Sequence, residues 1–502
     1  MKKIKKFMFI IPNTRLFGKR YWLWFNPAIF TLVPILRKLG IDVEILEANI
    51  DNLNREQMKQ RIMQYEPDMV GISNMSLEYW RQAHDAAQIA KEVNSEIITV
   101  MGGVHATTLP EKILEDKNFD YVILSEGEER LPKFLEILKS RNPDFSKMDG
   151  IGYRQDGKIV IHKPAGFIEN LDSLPMTDYT ILRPDQVTKV MNGQQRSVVG
   201  LGTRLAPVAT LMTSRGCRFR CCFCAGSILG GHRVRVRSEE SVLAEVDMLV
   251  KNYNIRELIF TDDEMYCDMD RAKKIIQGLK DRKYDLIWKN VNLTAWLIDY
   301  KLMKLMKESG CYQITISPES GNNRVLKEII HKPGNKEQCR NVVKWCKELD
   351  IEIEADFVIG FPGETWEEIR DTTNFADELD ADAVKFAIAT PFPGTELFEK
   401  AVEKGYLPGN FEWYRDEMLG FAHGVINTEH FTVQELEMLR CYEWDRINFK
   451  NQTKKERYAR MNMMTLEELE EFRKATRRSM GVYFLDQVKD ERDELDEVIR
   501  QR

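Results

Sequence analysis

The chain has 502 residues, 43% of them hydrophobic and 30% charged, with a net charge of −6. That length exceeds one ordinary core and predicts about two to four domains of a globular protein. The negative balance supplies no global basic field for nucleic acid. Nine unevenly clustered cysteines fit a metal site in a reducing compartment better than a secreted disulfide scaffold, so the cytoplasm is the expected location.

Met1 to Lys6 is basic and Phe7 to Ile11 apolar. The apolar run is too short for a secretory signal and no small-residue cleavage site follows, so it reads as a first strand. No segment reaches the length of a membrane-spanning helix. Over residues 1–145, strands are predicted at Lys6–Pro12, Asp42–Ala48, Asp68–Ser73, Glu96–Met101 and Asp120–Leu124. Amphipathic helical stretches such as Ile29–Leu39 and Tyr79–Val93 lie between them. This alternation predicts an α/β domain with a doubly wound, Rossmann-like parallel sheet. Such sheets bind ligands at the carboxyl ends of their strands. The loops that fall there hold Asn74, the run Gly102-Gly103-Val104-His105, and Ser125-Glu126-Gly127-Glu128.

Residues 146–206 lack long periodic segments and read as a connecting segment with a small hairpin at Gln155-Asp156-Gly157-Lys158. From 207 to 400 the alternation resumes. Strands are predicted at Val208–Thr213, Glu257–Thr261, Ile287–Leu293, Tyr312–Ser317, Ile353–Ile359 and Ala383–Ala389, a pattern that predicts a partial (β/α)6 barrel. Residues 401–502 are mainly helical in pattern and strongly charged. They are a solvated or partner-facing region by composition and, with Trp413, Tyr414 and His423, a candidate substrate cap by position.

The most informative run is Cys217-Arg218-Phe219-Arg220-Cys221-Cys222-Phe223-Cys224, which follows the first barrel strand. Three thiolates can hold three irons of a four-iron cluster and leave the fourth open to a ligand. Buried structural cysteines fit less well, because Arg218 and Arg220 intervene. Zinc asks for four converging ligands, and adjacent Cys221 and Cys222 point apart. A cluster held by four cysteines lacks a nearby fourth, since none follows until Cys267.

The spacing Cys-x3-Cys-x2-Cys, with Phe223 before the last cysteine, resembles the signature of the radical S-adenosylmethionine (SAM) enzymes. Further strand-end motifs extend the resemblance over roughly residues 200–400: Thr261-Asp262-Asp263-Glu264, Ser317-Pro318-Glu319-Ser320-Gly321, Ile359-Gly360-Phe361-Pro362-Gly363-Glu364 and Thr390-Pro391-Phe392-Pro393-Gly394-Thr395. The resemblance implies a [4Fe-4S] cluster on Cys217, Cys221 and Cys224. It implies SAM contacts at Phe223, Asp262, Asp263, Glu319, Ser320, Gly360 and Glu364, although the Gly-Gly-Glu form of many relatives is missing. Taken singly, an Asp pair after a strand is an ordinary helix cap and Gly-Phe-Pro-Gly an ordinary turn.

Residues 1–145 resemble the cobalamin-binding domain that precedes the barrel in one branch of these enzymes. The residues that carry this are Gly102-Gly103-Val104-His105, Pro110, and Asp120 through Glu128. The resemblance implies cobalamin near Asn74, Gly102, Gly103, His105, Glu126 and Gly127. The Asp-x-His-x-x-Gly motif of the cobalamin mutases does not occur, so no histidine from it is expected beneath the cobalt. A domain that keeps the fold without the cofactor is the rival, and His105 reads equally as a solvated loop histidine. The aromatic run Tyr21-Trp22-Leu23-Trp24-Phe25 reads as packing before it reads as a corrin contact.

Together these resemblances imply a cobalamin-dependent radical SAM enzyme that methylates an unactivated carbon through a 5′-deoxyadenosyl radical. They imply a flavodoxin- or ferredoxin-type electron donor and a substrate open among small-molecule, lipid, tetrapyrrole and peptide classes. An oxidative cyclase or rearrangement enzyme without net methylation, and a non-catalytic cobalamin-binding protein, are the alternatives. No general acid or base is assigned.

Overall fold

Alternation with period two organises the first half of the molecule. In β1 (Lys6–Ile11), Phe7 and Phe9 pack on one face while Met8 and Ile10 pack on the other, and both faces are buried. A strand buried twice needs helices on both sides. Pro27–Lys38 and Gly127–Leu138 cover the Phe7 face, and Arg55–Tyr65 and Trp80–Val93 cover the Met8 face. The structure is a computed structural model that describes residues 4–18, 22–193, 202–408, 411 and 423–479.

β1 pairs in parallel with β2 (Asp42–Glu47) on one side and β3 (Met69–Asn74) on the other. β4 (Ile98–Gly103) and β5 (Tyr121–Ile123) continue the sheet in parallel beyond β3. The direction of winding reverses between β1 and β3, so a crevice opens there at the carboxyl ends. The predicted hairpin forms as β6 (Ile151–Gln155) and β7 (Lys158–His162), turning through Asp156 and Gly157, both at positive φ. It does not stand apart in the connecting segment. β6 pairs antiparallel with β5, so the first sheet has seven strands and continues past residue 145 to His162. The hairpin satisfies backbone groups that β5 would otherwise leave at a bare edge.

The second sheet has the order β15-β14-β13-β12-β11-β8, with every neighbouring pair parallel. Its strands are β8 (Val208–Leu211), β11 (Glu257–Phe260), β12 (Ile287–Leu293), β13 (Cys311–Glu319), β14 (Glu352–Ile359) and β15 (Ala383–Ile388). This is the partial six-stranded barrel that the alternation predicts. Between β8 and β11, the two-residue strands β9 (Ser214–Arg215) and β10 (Arg235–Val236) pair antiparallel and close the base of the cysteine loop.

Helices Val433–Asn448, Gln452–Met461 and Leu466–Ser479 follow the barrel. Asn448 covers the free edge of β15: its Oδ1 accepts from the Val384 N–H and its Nδ2 donates to the Val384 carbonyl, each at 2.8 Å. Arg460 pairs with Glu352 at 2.9 Å, at the amino end of β14. The described carboxy-terminal helices therefore buttress the barrel's edge and amino end, and Leu436 also reaches Gly360 at the carboxyl end of β14. Of the residues expected to cap the cleft, Trp413 and Tyr414 lie outside the described residues, and His423 is exposed beside Glu437. No helix among the described residues is long and apolar enough to cross a membrane.

Candidate active site

The cysteine loop is anchored at both ends. Gly216, at φ +88°, takes a left-handed turn so tight that a Cβ would strike the carbonyls of Gly230 and Arg233. The Cys217 N–H donates to the Gly231 carbonyl at 3.2 Å. Cys222 leaves the group: it is buried among Leu326, Ile330 and Leu397, and its backbone is bonded to Ile330 and Leu397. Adjacent Cys221 only borders that apolar cluster and is less buried.

Cys217, Cys221 and Cys224 are free and lie within electrostatic reach of one another. Burial pushes the Cys217 thiol up to about 11 and the Cys221 thiol to about 12, and raises that of Cys224. Thiolates here need the compensating charge of a metal centre. Among the described residues, no three His, Cys, Asp or Glu side chains converge as ligands of one ion would. A cubane cluster asks for something different, because each thiolate sits on its own iron. Three free thiols within electrostatic reach of one another, in a loop held at its base, fit that demand.

The strand ends around this loop divide into side chains that face it and side chains that brace the backbone. Glu319 ends β13 at φ +64° and accepts from Lys332 Nζ at 2.7 Å. Burial works against the Lys332 ammonium, yet Glu319 and Cys221 hold it above its ordinary range. The Phe223 ring lies 5.7 Å from Phe361. Asp263 lines the cavity described below, and burial followed by the neighbouring Asp262 raises its carboxyl.

Three other residues expected to contact SAM brace the strand ends. Asp262 is buried, and its Oδ1 accepts from the Thr213 N–H, the Thr213 hydroxyl and the Ser214 hydroxyl, which ties the end of β11 to that of β8. Ser320 is fully buried against the Thr372 hydroxyl at 2.9 Å. Glu364 accepts the N–H groups of Gly360 and Phe361 at 2.8 and 3.0 Å, and burial pushes its carboxyl to about 8. Gly360 itself turns at φ +87°, close under Leu436.

In the amino-terminal half the glycines and Glu126 border open space, whereas Asn74 and His105 do not. Gly102, Gly103 and Gly127 line the cavity. Gly103, at φ +94°, lies so close to the Asn74 carbonyl that a Cβ would collide with it. Asn74 is buried, accepting from the Ser76 N–H. His105 is neither a cofactor contact nor a solvated loop residue. A short helix, Val104–Thr108, starts beside it and turns the ring inward, where it is fully buried 5.6 Å from His84. Burial, then His84, lowers it to about 3. The Glu126 carboxylate is taken by Arg215, Arg235 and the Ile168 N–H.

A cavity of about 860 Å³ lies between the two sheets. Gly102, Gly103 and Gly127 border it from the first half, and Gly216, Thr261 and Asp263 from the barrel. Trp22, Trp24 and Phe25 also line it, and Phe25 packs against Phe30 and Tyr179, so the aromatic run both packs and faces the space. Lys332, Arg215 and Arg235 were not singled out by the sequence. Their only signal is charge in loops, which ordinarily reads as solvated surface.

The profile of the radical SAM superfamily matches residues 211–376, and that of the B12 binding domain matches residues 16–135. An uncharacterized methyltransferase of Pyrococcus horikoshii is 31% identical over 440 residues, covering 87% of this chain and 91% of the relative. Cytidylyl-2-hydroxyethylphosphonate methyltransferase of Streptomyces wedmorensis is 29% identical, covering 79% of this chain and 80% of the relative. Cyclases stand among the further matches. The solved structure of the methyltransferase TsrM from Kitasatospora setae superposes with a TM-score of 0.63 at 18% identity, covering 80% of this chain and 76% of that one, which shows a shared fold.

Proposed function

The chain belongs to the radical SAM enzymes that carry a B12-binding domain, and we propose that it moves a methyl group onto an unactivated carbon of a small-molecule substrate. It is an enzyme of the cobalamin-dependent methyltransferase family, with SAM, a [4Fe-4S] cluster and cobalamin as cofactors. Those cofactors supply the radical and the methyl-transfer chemistry. The observation that carries the proposal is the single cavity bordered by both Gly102-Gly103 and Gly216, next to Cys217. One substrate carbon in that space reaches both halves.

Cys217, Cys221 and Cys224 would hold the cluster, whose chemistry is the reductive cleavage of SAM. Asp263 faces the cavity, where a carboxylate suits the SAM ammonium. Glu319, fixed by Lys332, stands beside the thiols, where it suits the ribose hydroxyls. Phe223 with Phe361 offers an apolar wall for the adenine. Asp262, Ser320 and Glu364 keep the strand-end loops in place. In the first half, Gly102, Gly103 and Gly127 leave room for a flat macrocycle. Reducing electrons come from a flavodoxin- or ferredoxin-type donor. Nine free cysteines suit the reducing cytoplasm.

The test is anaerobic incubation of the reconstituted protein with reductant, methyl-deuterated SAM and candidate substrate extracts. The expected products are S-adenosylhomocysteine, 5′-deoxyadenosine and a substrate carrying the deuterated methyl. A product without added methyl, formed with 5′-deoxyadenosine alone, would replace methylation with cyclisation or rearrangement.

A further inference from the structure

Glu126 sits at the carboxyl side of β5, in the B12-binding half, yet its carboxylate is directed at the barrel. Arg235 Nη1 reaches both Glu126 oxygens at 2.8 Å, and Arg215 Nη1 reaches Oε1 at 3.1 Å. Arg215 spans onward to Glu128 at 2.8 Å. The Ile168 N–H fills Glu126 Oε2 at 2.7 Å, and the Ser125 hydroxyl donates to the Leu229 carbonyl at 3.2 Å. The Arg235 and Glu126 side chains are 2% and 7% exposed, so water does not screen the pair.

The two arginines are not independent. Arg215 and Arg235 are directly paired across β9 and β10, and the whole cysteine loop, residues 216–234, runs out from between them and back. Arg235 Nη2 also donates to the Gly230 carbonyl inside the loop at 2.8 Å. One carboxylate of the first domain therefore grips both stems of the loop that carries Cys217, Cys221 and Cys224. At the other end, Glu126 immediately precedes Gly127, which borders the cavity, and Arg130 Nη1 holds the Glu126 carbonyl at 2.9 Å.

We infer that Glu126 is a positioning residue: with Arg215 and Arg235 it forms an interdomain clamp that fixes the cluster loop at a set distance from the cobalamin site. Partial charges at hydrogen-bond distance in a dry contact have one low-energy arrangement, whereas the apolar walls of the cavity tolerate sliding. A substrate carbon that must reach both halves depends on that spacing, because reacting atoms must be brought within near-attack range. The inference rests on the two-cofactor reading above. Glu126 and Arg215 also line the cavity, which puts the clamp at its wall.

The decisive variants are Glu126→Gln, which keeps the shape and removes the charge, and Glu126→Asp, which keeps the charge. In the full chain carrying reduced cluster and cob(II)alamin, the spin–spin distance between the two centres is measured by pulsed paramagnetic resonance. The clamp predicts a single narrow distance in the native protein and a broadened, longer one in Glu126→Gln, with iron and cobalt contents unchanged. Glu126→Asp should restore much of the narrow component. A Glu126→Gln protein with the native distance, or one that loses cobalt, would overturn the clamp; the second result would make Glu126 a cobalamin contact. Hydrogen exchange on the apo protein decides the question even if the native chain fails to take both cofactors. Removing the charge should speed exchange on the order of tenfold in residues 216–234 and 125–130 together. A uniform rise across all strands, or no rise, would contradict the clamp.

Discussion

The two halves of the molecule present their chemistry in opposite ways. The barrel offers side chains: Cys217, Cys221, Cys224, Glu319 with Lys332, and Asp263 surround one loop. The B12-binding half offers the absence of side chains: Gly102, Gly103 and Gly127 border the cavity while His105 and Asn74 are buried behind them. A small, directional ligand set needs named atoms at fixed places. A broad planar cofactor needs a surface from which Cβ atoms are missing. Damage to one half should therefore act through lost ligands, and damage to the other through added bulk.

The largest effect should come from the ligands. Cys217→Ala, Cys221→Ala or Cys224→Ala should abolish cluster iron and SAM cleavage while cobalamin binding to the first half persists. Iron and cobalt counts on the same sample check this, and joint loss of both metals would break the comparison.

Added bulk gives the mirror result. Gly103→Ala places a methyl group against the Asn74 carbonyl at φ +94° and should cost about 1–3 kcal/mol of local strain. Cobalamin titration should then show weakened binding with cluster iron intact. Equal loss of iron would mean that the halves do not divide the work.

Lys332→Met leaves Glu319 without its buried cation. Breaking such a pair costs about 3–5 kcal/mol when fully buried and less here, because both side chains keep some solvent contact, 12% and 8%. Thermal unfolding should show the loss, and SAM titration should show weaker binding with cobalamin affinity unchanged.

The smallest effect is pH dependence, and it sharpens the comparison because each half carries a buried carboxyl raised to about 8. Burial raises both Glu47, the last residue of β2, and Glu364, after β14, to about 8. A carboxyl raised in the folded state binds a proton that the unfolded chain has already lost, so its contribution is full below about pH 4.5 and disappears as pH rises through about 8. Urea unfolding across that window should show falling stability, and Glu364→Gln should flatten the barrel's share of the slope.

The sequence reveals local features far better than remote partners. Phe7 to Ile11 announces a strand by its short apolar run, and Cys217 to Cys224 announces a cluster by its spacing together with the strand-end motifs that follow it. Ser320 reads as a ligand until Thr372 is known to face it. Asp262 reads as one until Thr213 and Ser214 are seen to consume its oxygen. The hairpin at Asp156-Gly157 is legible as a hairpin, but its docking on β5 is a long-range pairing with no local trace. Glu126, Arg215 and Arg235 form one contact from three separated segments, and charge in a loop gives no hint of burial.

The central claim is that one chain carries a three-thiolate cluster and a cobalamin in facing halves. Anaerobic reconstitution with iron, sulfide and hydroxocobalamin, followed by metal counting and ultraviolet–visible spectra, tests it most directly. The account predicts roughly four irons with stoichiometric cobalt per chain. Iron at that level with no cobalt retained would contradict it and leave the first half a scaffold without its cofactor.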